Sequence, residues 1–484
     1  MKNLLRTSSI MVLALTMAGC ATDPPAALEL SSLNLPSMFT APVAKEAPIW
    51  PKADWWKGFG STEMDGLIDT AQKNNLDLDA AIARVRQAEA QTEISGSVLF
   101  PDVTVSADAT RSGTKVHGIG LDHNSFGVSP AASYELDFWG KNRDQLRAAE
   151  ESLKSAKFSQ EVVGLTVTSG VANTYLDVLA LRERVTIANQ NIDAADRILA
   201  ITEAKVTNGV ASNLDLAQQQ ALVAGQKAQV PALVEQAKEA EYALAVLLGR
   251  APEGFHVDGQ NLDGILSPQV APGVPSALLH RRPDVAAAEA NLASAHANVD
   301  AARAAFFPSI SLNAGGTYGT AALGPTGLGY SIGASLLQTI FDGGRLLGQS
   351  RLARAQQREL VDTYRTTVLG AFVDVETSLG QVGSLAEQQK LKTDQVNAAT
   401  EAFRISEIQY REGVADLLTV LQAQQTLFTA QDQLVQIKLA RIQADIGLYK
   451  ALGGSWTENP DDVTQPIPAS TAAPAKDAPA PQKS

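Results

Sequence analysis

The sequence predicts a mixed α and β membrane protein, written twice along one chain from long coiled-coil helices and pairs of strands. Three observations carry that fold class. At an offset of 204, Gly209-Val210-Ala211 meets Gly413-Val414-Ala415 and Gly249 meets Gly453; at 207, Phe100-Pro101-Asp102 meets Phe307-Pro308-Ser309. Apolar positions recur at steps of three and four through the long segments, as in Val361, Tyr364, Val368, Ala371, Val375, Leu379, Val382 and Ala386. That is the spacing of packed helices. Finally, Val103, Val105, Ala107 and Ala109 alternate with Thr104, Ser106, Asp108 and Thr110. Period-two runs of this kind, apolar on one face and small or polar on the other, fit membrane-length strands.

The export signal comes first. Residues 1–19 place Lys2 and Arg6 before the short apolar run Ile10 to Leu15, too short and wrongly flanked for a spanning helix. Cys20, the one cysteine, follows Met17-Ala18-Gly19 directly. This resembles a bacterial lipobox, whose cysteine is lipidated and becomes the mature N-terminus, and Ala21 in place of Asp implies sorting to the outer membrane. Residues 20–48 are Pro-rich and read as an extended linker. No other apolar run approaches the ~18 residues of a spanning helix.

The first repeat covers 49–250. A helix over 76–98 is broken by Phe100-Pro101, since proline cannot continue a helix. A β-hairpin over about 101–137 follows, with its loop expected at 111–124. A long helix then runs from Gly140 to Asn208, a tip turn spans 208–213, and a further helix ends at Leu248-Gly249. Residues 251–283 form a connector, in which Leu279-His280-Arg281-Arg282-Pro283-Asp284 reads as a helix cap with proline at the first turn. The second repeat, 284–454, has the same order: helix, hairpin over about 308–340 with its loop at 319–328, long helix, tip turn 412–416, helix. At 1.5 Å per residue each long helix is a rod on the order of 100 Å. The shorter helices of each repeat, end to end, match it in length. Residues 455–484 are rich in Pro, Ala and Ser, have little to bury, and read as a disordered tail.

Taken alone, either hairpin resembles a soluble amphipathic one. Four strands cannot close a barrel, however, and an open sheet edge is forbidden in lipid. Copies must therefore assemble, and about eight, twelve or sixteen strands are all compatible with closure.

Composition excludes other classes. Lys+Arg total 39 against 52 Asp+Glu, a formal charge of −13, which denies a nucleic-acid binder its basic face. Aromatics are 5% against 45% apolar residues, a balance that suits closely packed helices. The lone cysteine excludes disulfides and Cys-based zinc sites. Histidines 117, 123, 256, 280 and 296 show no metal-ligand spacing, and no phosphate- or dinucleotide-binding glycine pattern occurs. No enzyme, metal or cofactor is expected.

These features together resemble a TolC-type outer membrane factor of the lipidated OprM/NodT-like efflux branch. The resemblance spans residues 20–455. Besides Cys20 it rests on Tyr134-Glu135-Leu136-Asp137-Phe138-Trp139-Gly140, on Phe341-Asp342-Gly343-Gly344-Arg345, and on the Leu279 to Asp284 motif. The tips and Leu448-Tyr449-Lys450-Ala451-Leu452-Gly453 complete the set. It implies a homotrimer with a twelve-stranded barrel in the outer membrane, continuous with a helical periplasmic tunnel and a small equatorial belt. It also implies a periplasmic adaptor protein and an inner-membrane pump, of the proton-driven RND type, delivering drugs, toxic compounds or metal ions to a passive duct. A duct for type I protein secretion and a purely structural periplasmic coiled coil are the alternatives.

On this reading the tips Gly209, Val210, Ala211, Gly413, Val414 and Ala415 dock the adaptor, unless they serve only to turn the chain. The gate is expected just above them. Tyr410, Arg411, Asp416 and Asp215 are candidates to tie neighbouring helices, and Leu417, Leu418 and Leu421 to form an apolar constriction. A solvated helix face is the alternative for the charges. Gln422 stands where many relatives place an acid, which puts cation selectivity at that level in doubt.

Overall fold

A computed structural model describes residue 39 and residues 50–116, 119–268, 275–320 and 326–456. The signal, Cys20, nearly all of the linker and the tail from 457 onward lie outside the described residues.

A short 3-10 turn at Trp55–Phe59 leads into α1 (Thr62–Asn74), whose first turn carries Glu63 and Asp65 where the helix dipole favours acids. Ser61 caps it, its Oγ accepting from the Met64 amide at 3.2 Å. Asn75 ends α1 and caps α2 (Leu76–Ser97), accepting from the Asp77 and Leu78 amides at 3.0 Å. Past Phe100-Pro101 come β1 (Asp102–Val116) and β2 (Ile119–Leu136). Asp137 then starts α3 (Lys141–Thr207) by accepting from the Asn142 and Arg143 amides at 3.1 and 2.9 Å. These donors hold its carboxyl below the ordinary range against the opposing pull of partial burial. After the tip, α4 (Asn213–Leu247) runs back along α3, continuous through Pro231.

The second repeat gives α5 (Pro283–Ala304), β3 (Ser309–Thr320), β4 (Thr326–Leu337), α6 (Arg345–Arg411) and α7 (Leu417–Ala451). α2 and α5 have 22 residues each, α3 and α6 have 67, and α4 and α7 have 35. The strands form one antiparallel sheet in the order β1-β2-β3-β4, so β1 and β4 each keep one unpaired edge.

Both expected hairpin loops are corrected here: of 319–328, residues 319, 320 and 326–328 belong to the β3–β4 ladder, through Gly319↔Gly327 and Thr320↔Thr326. Of residues 111–124, those at 111–116 and 119–124 are strand: the β1–β2 ladder continues through Arg111↔Asn124 to Val116↔Ile119. The ladder outlasts the apolar alternation that signals it, because past Ala109↔Phe126 the ribbon loses its contrast between faces.

The upper helices pack in a row α2-α3-α5-α6, and lower down α4 and α7 pack on α3 and α6. Alanines at 286, 287, 290, 295, 297, 301 and 304 of α5 let its neighbours approach closely. Three buried clusters result. One surrounds the belt, with Trp55, Phe59, Met64 and Ile68 against Val171, Leu176 and Leu179 of α3. A second lies between Leu278, Val285 and Leu292 and Val361, Tyr364 and Val368. The third is near the tips. α3 also contains one window apolar and long enough to cross a membrane by composition. Its Val167, Val171, Leu176 and Leu179 are buried in the belt core, which accounts for that hydropathy.

The belt is tied by charge and by twin contacts. The Glu63 carboxylate accepts from the Asp258 and Gly259 amides at 2.6 and 3.0 Å and from the Tyr175 hydroxyl at 3.0 Å. Burial pushes Tyr175 up to about 12. Arg182 donates to Val257 O, Gly259 O and Glu241. Asn75 Nδ2 donates to Leu247 O at 2.8 Å, and in the second repeat Arg282 Nη1 donates to Ala451 O at 3.0 Å. Arg282 is also held by Asp284 and Asp374, at 2.7 and 2.9 Å, with Pro283 at the first turn of α5.

Candidate channel wall and docking tips

The ladder registers sort every strand residue onto one of two sheet faces. Val103, Ala132, Ala314 and Ile332 share one rung, and Ala107, Val128, Tyr318 and Leu328 another. Leu136, Ile310 and Leu336 continue the same face. Rungs of the other face read Asp102, Ser133, Asn313, Gly333 and Thr104, Ala131, Gly315, Ser331. Among the described residues no element covers the apolar face: Leu328, Tyr330 and Ile332 are 80%, 85% and 84% exposed. An uncovered apolar face of this extent marks a surface that water does not meet in the working state.

Where the sheet joins the helices the exposed side chains turn aromatic. Phe100, Phe138, Trp139, Phe307 and Phe341 cluster at the strand ends. Trp139 stacks on Phe307 at 4.7 Å and donates from Nε1 to Pro308 O at 2.7 Å. Amphipathic rings of this kind suit a membrane–water boundary.

The two tips share one backbone device. Val210 N donates to Lys205 O and Gly209 N to Val206 O; Val414 N donates to Gln409 O and Gly413 N to Tyr410 O. This double closure needs a left-handed residue at the turn, supplied by Gly209 at φ 72° and Gly413 at φ 78°. Val210 and Val414 are left 71% and 77% exposed, while Ala211 and Ala415 are half-buried.

The sequence-derived gate residues separate into three groups. Tyr410 is buried, its hydroxyl 3.0 Å from Thr202 Oγ1, joining α6 to α3, and its ring lies beneath Lys205 Nζ. Burial raises its pKa. Asp416 and Asp215 serve as local caps: Asp416 accepts from the Thr419 hydroxyl and amide at 2.7 and 2.9 Å, and Asp215 forms a capping box with Ser212. Thr419 holds the Asp416 carboxyl below its ordinary range. Arg411 pairs with its neighbour Glu412 on the surface. Leu417 and Leu421 pack inside with Val420, Phe403 and Phe428, so within this chain neither presents a constriction. Leu418 and Gln422, one turn apart, are exposed. Sequence reasoning missed Thr202, which carries no motif and meets Tyr410 only through the fold.

Comparison with known proteins agrees with this architecture. The outer membrane efflux protein family model matches residues 67–250 and 274–454. The chain is 42% identical over 467 residues to the pyoverdine export outer membrane protein OpmQ of Pseudomonas aeruginosa, covering 94% of this chain and 97% of that one. It is 30% identical over 491 residues to the toluene efflux pump outer membrane protein TtgC of Pseudomonas putida, covering 95% and 98%. The solved outer-membrane channel OprN superposes with a TM-score of 0.81 at 26% identity, over 90% of this chain and all of that one. The expected non-enzymatic outer membrane channel is what these relatives are. The chain belongs to the outer membrane efflux protein family.

Proposed function

We propose that three copies close their open sheet edges into a twelve-stranded barrel in the outer membrane, above a tunnel of long helices in the periplasm. The observation that carries this is one uncovered apolar sheet face, unpaired at both edges, leading directly into helices of 67 residues. In the closed assembly every strand edge is satisfied, as lipid requires. The duct is passive: an adaptor docks on Val210 and Val414, and an inner-membrane pump of the proton-driven RND type supplies the work. Cys20 carries the lipid. Phe39 packs against the core between α5 and α6, and the segment back to Cys20 reaches at most about 65 Å, enough to span the ~33 Å of α5 to the sheet.

The likeness to OpmQ, a pyoverdine export protein, favours pyoverdine or a compound like it as cargo. The more distant likeness to TtgC supports a second reading, export of apolar solvents. A deletion strain complemented with the chain separates them: restored pyoverdine in the medium supports the first, restored toluene tolerance alone the second. A photo-crosslinking residue at Val210 or Val414 is expected to capture an adaptor of a proton-driven pump. Capture of a type I secretion adaptor would move the cargo to proteins, and capture of nothing by expressed trimers would refute the docking surface. Tyr410 with Thr202 closes the gate by locking α6 to α3, aided by the capped turn at Asp416. Tyr410→Phe with Asp416→Ala is expected to raise closed-state conductance in bilayers; no change would refute the gate.

A further inference from the structure

A cavity of about 310 Å³ opens at the belt between α1, α3 and the chain just past α7. That is within the range of about 300–1,000 Å³ that ligand pockets occupy. Three indoles wall it, those of Trp55, Trp56 and Trp456, and Gln72 and Gln160 add amides. The walls are fixed: Trp55 stacks on Tyr449 at 5.0 Å, and Trp456 meets Phe158 edge-on at 5.5 Å. One side is bare. Gly164 of α3 lines the cavity, and a Cβ built there meets nothing within 4 Å. Glycine weakens a helix interior, and here it leaves the space open. Trp56 is 9% exposed, yet its Nε1 has no acceptor among the described residues. A buried donor without an acceptor is costly, and it calls for a carbonyl that the described chain does not supply.

The described residues end at Trp456, in this wall, and the sequence that follows fits the cavity. Asn459-Pro460-Asp461-Asp462 has the composition of a reverse turn, asparagine first and proline second. Directly after it come Val463-Thr464-Gln465-Pro466-Ile467-Pro468. Val463 and Ile467 are the only Val, Leu, Ile or Met in residues 457–484. Proline favours the polyproline helix, whose carbonyls make no internal hydrogen bonds and are free to accept. Aromatic-lined grooves take segments of this kind. Glu161 also lines the cavity and disfavours acids there, and residues 463–468 carry none. The linker 20–48 is Pro-rich as well. Its described residue Phe39, like Trp50 just past it, packs instead on the cluster between α5 and α6.

We infer that residues 463–468 fold back into this cavity of their own chain. Ile467 fills the space above Gly164 between the indoles, and a carbonyl of the segment accepts from Trp56 Nε1. The cavity is thus a binding site for a proline-rich peptide, and its ligand is the chain's own tail. Seated there, the tail joins the end of α7 to α1 and α3 and latches the belt from outside the helix row.

The test is photo-crosslinking in the full-length protein in outer membranes, with benzoylphenylalanine placed at Gln465, or at Ala480 for comparison. A denaturing gel sorts capture within one chain from capture between chains, and mass spectrometry identifies the captured peptides. Capture within the chain is expected from position 465, on peptides that carry Trp56, Gln72 or Gln160, and not from position 480. Gly164→Leu fills the open space without a clash and is expected to abolish that capture while the helices melt no earlier than in the parent. Ile467→Asp, a change in the tail alone, is expected to abolish it too, and decides the matter if Gly164→Leu fails to accumulate. Capture on residues 20–48, on another copy, on a different protein or on nothing overturns the inference. So does equal capture from position 480, or capture that either substitution leaves unchanged.

Discussion

Four helices end on left-handed glycines, Gly209, Gly249, Gly413 and Gly453, with φ of 72°, 66°, 78° and 84°. Alanine at any of them incurs about 1–2 kcal/mol of left-handed strain. Around Gly413 nothing lies within 4 Å of the added Cβ, so the strain is the whole effect. At Gly453 the added Cβ falls 1.8 Å from Arg281 O and 2.9 Å from its carbonyl carbon. Backbone cannot yield as a side chain can, so the end of α7 must part from the start of α5 by more than an ångström. That separation breaks the bond from Arg282 Nη1 to Ala451 O, a charged hydrogen bond of about 1.5–3 kcal/mol. The sum for Gly453→Ala is about 2.5–5 kcal/mol, against about 1–2 kcal/mol for Gly413→Ala. Melting of the helices, followed by circular dichroism of detergent-purified protein, separates the two cases. At about 2–4 °C per kcal/mol, and less for a long chain, Gly413→Ala loses a few degrees at most. Gly453→Ala loses at least twice as much or fails to accumulate. Equal losses at both positions would refute the reasoning, since they would mean that the belt contact bears no load.

Three further outcomes are expected. Tyr410→Phe removes the bond to the Thr202 hydroxyl, which keeps Ile198 O at 2.8 Å, and lowers helix stability by about 0.5–1.5 kcal/mol, an effect not added to by Tyr410→Phe in a Thr202→Val background. Burial raises the Asp445 pKa despite the Ser267 hydroxyl and Arg441, so the folded chain takes up that proton more readily than the unfolded one. Asp445 therefore costs stability at neutral pH and the cost fades as pH falls through its raised pKa; Asp445→Asn is expected to stabilise most at neutral pH, as read from melting curves at several pH values. Asp102 and Asp108 lie on the polar sheet face, so in a closed barrel they form rings in the lumen. Asp108→Asn is expected to reduce cation over anion permeability, read as a smaller reversal potential under a salt gradient.

The helices were legible because their period persists for tens of residues and because Phe-Pro, Gly-Val-Ala and Leu-Gly punctuate both repeats. The caps were legible too, since Pro283 and the tip glycines have backbone meanings independent of context. What escaped was of two kinds. The outer half of the β1–β2 ribbon carries Arg111, Lys115, Asp122 and Asn124, and alternation disappears there although pairing goes on. The second kind is contact across the fold: Glu63 with Tyr175, Arg182 with Glu241 and Tyr410 with Thr202 are far apart in sequence, and no local pattern announces them. The same holds for Leu417 and Leu421. Heptad spacing shows that a leucine is on an apolar stripe, but only packing shows whether that stripe faces a neighbour or an opening.

The ribbon has a consequence of its own. Between Ala109↔Phe126 and Val116↔Ile119 it rises about 25 Å beyond the last β2–β3 rung at Gly127↔Gly319. In the proposed barrel, strand residues below that rung answer to lipid on one side and to cargo on the other, and each must also keep the wall closed. Residues above it hold nothing shut. In the proposed assembly they face the outside of the cell, and they can change without opening the wall beneath them.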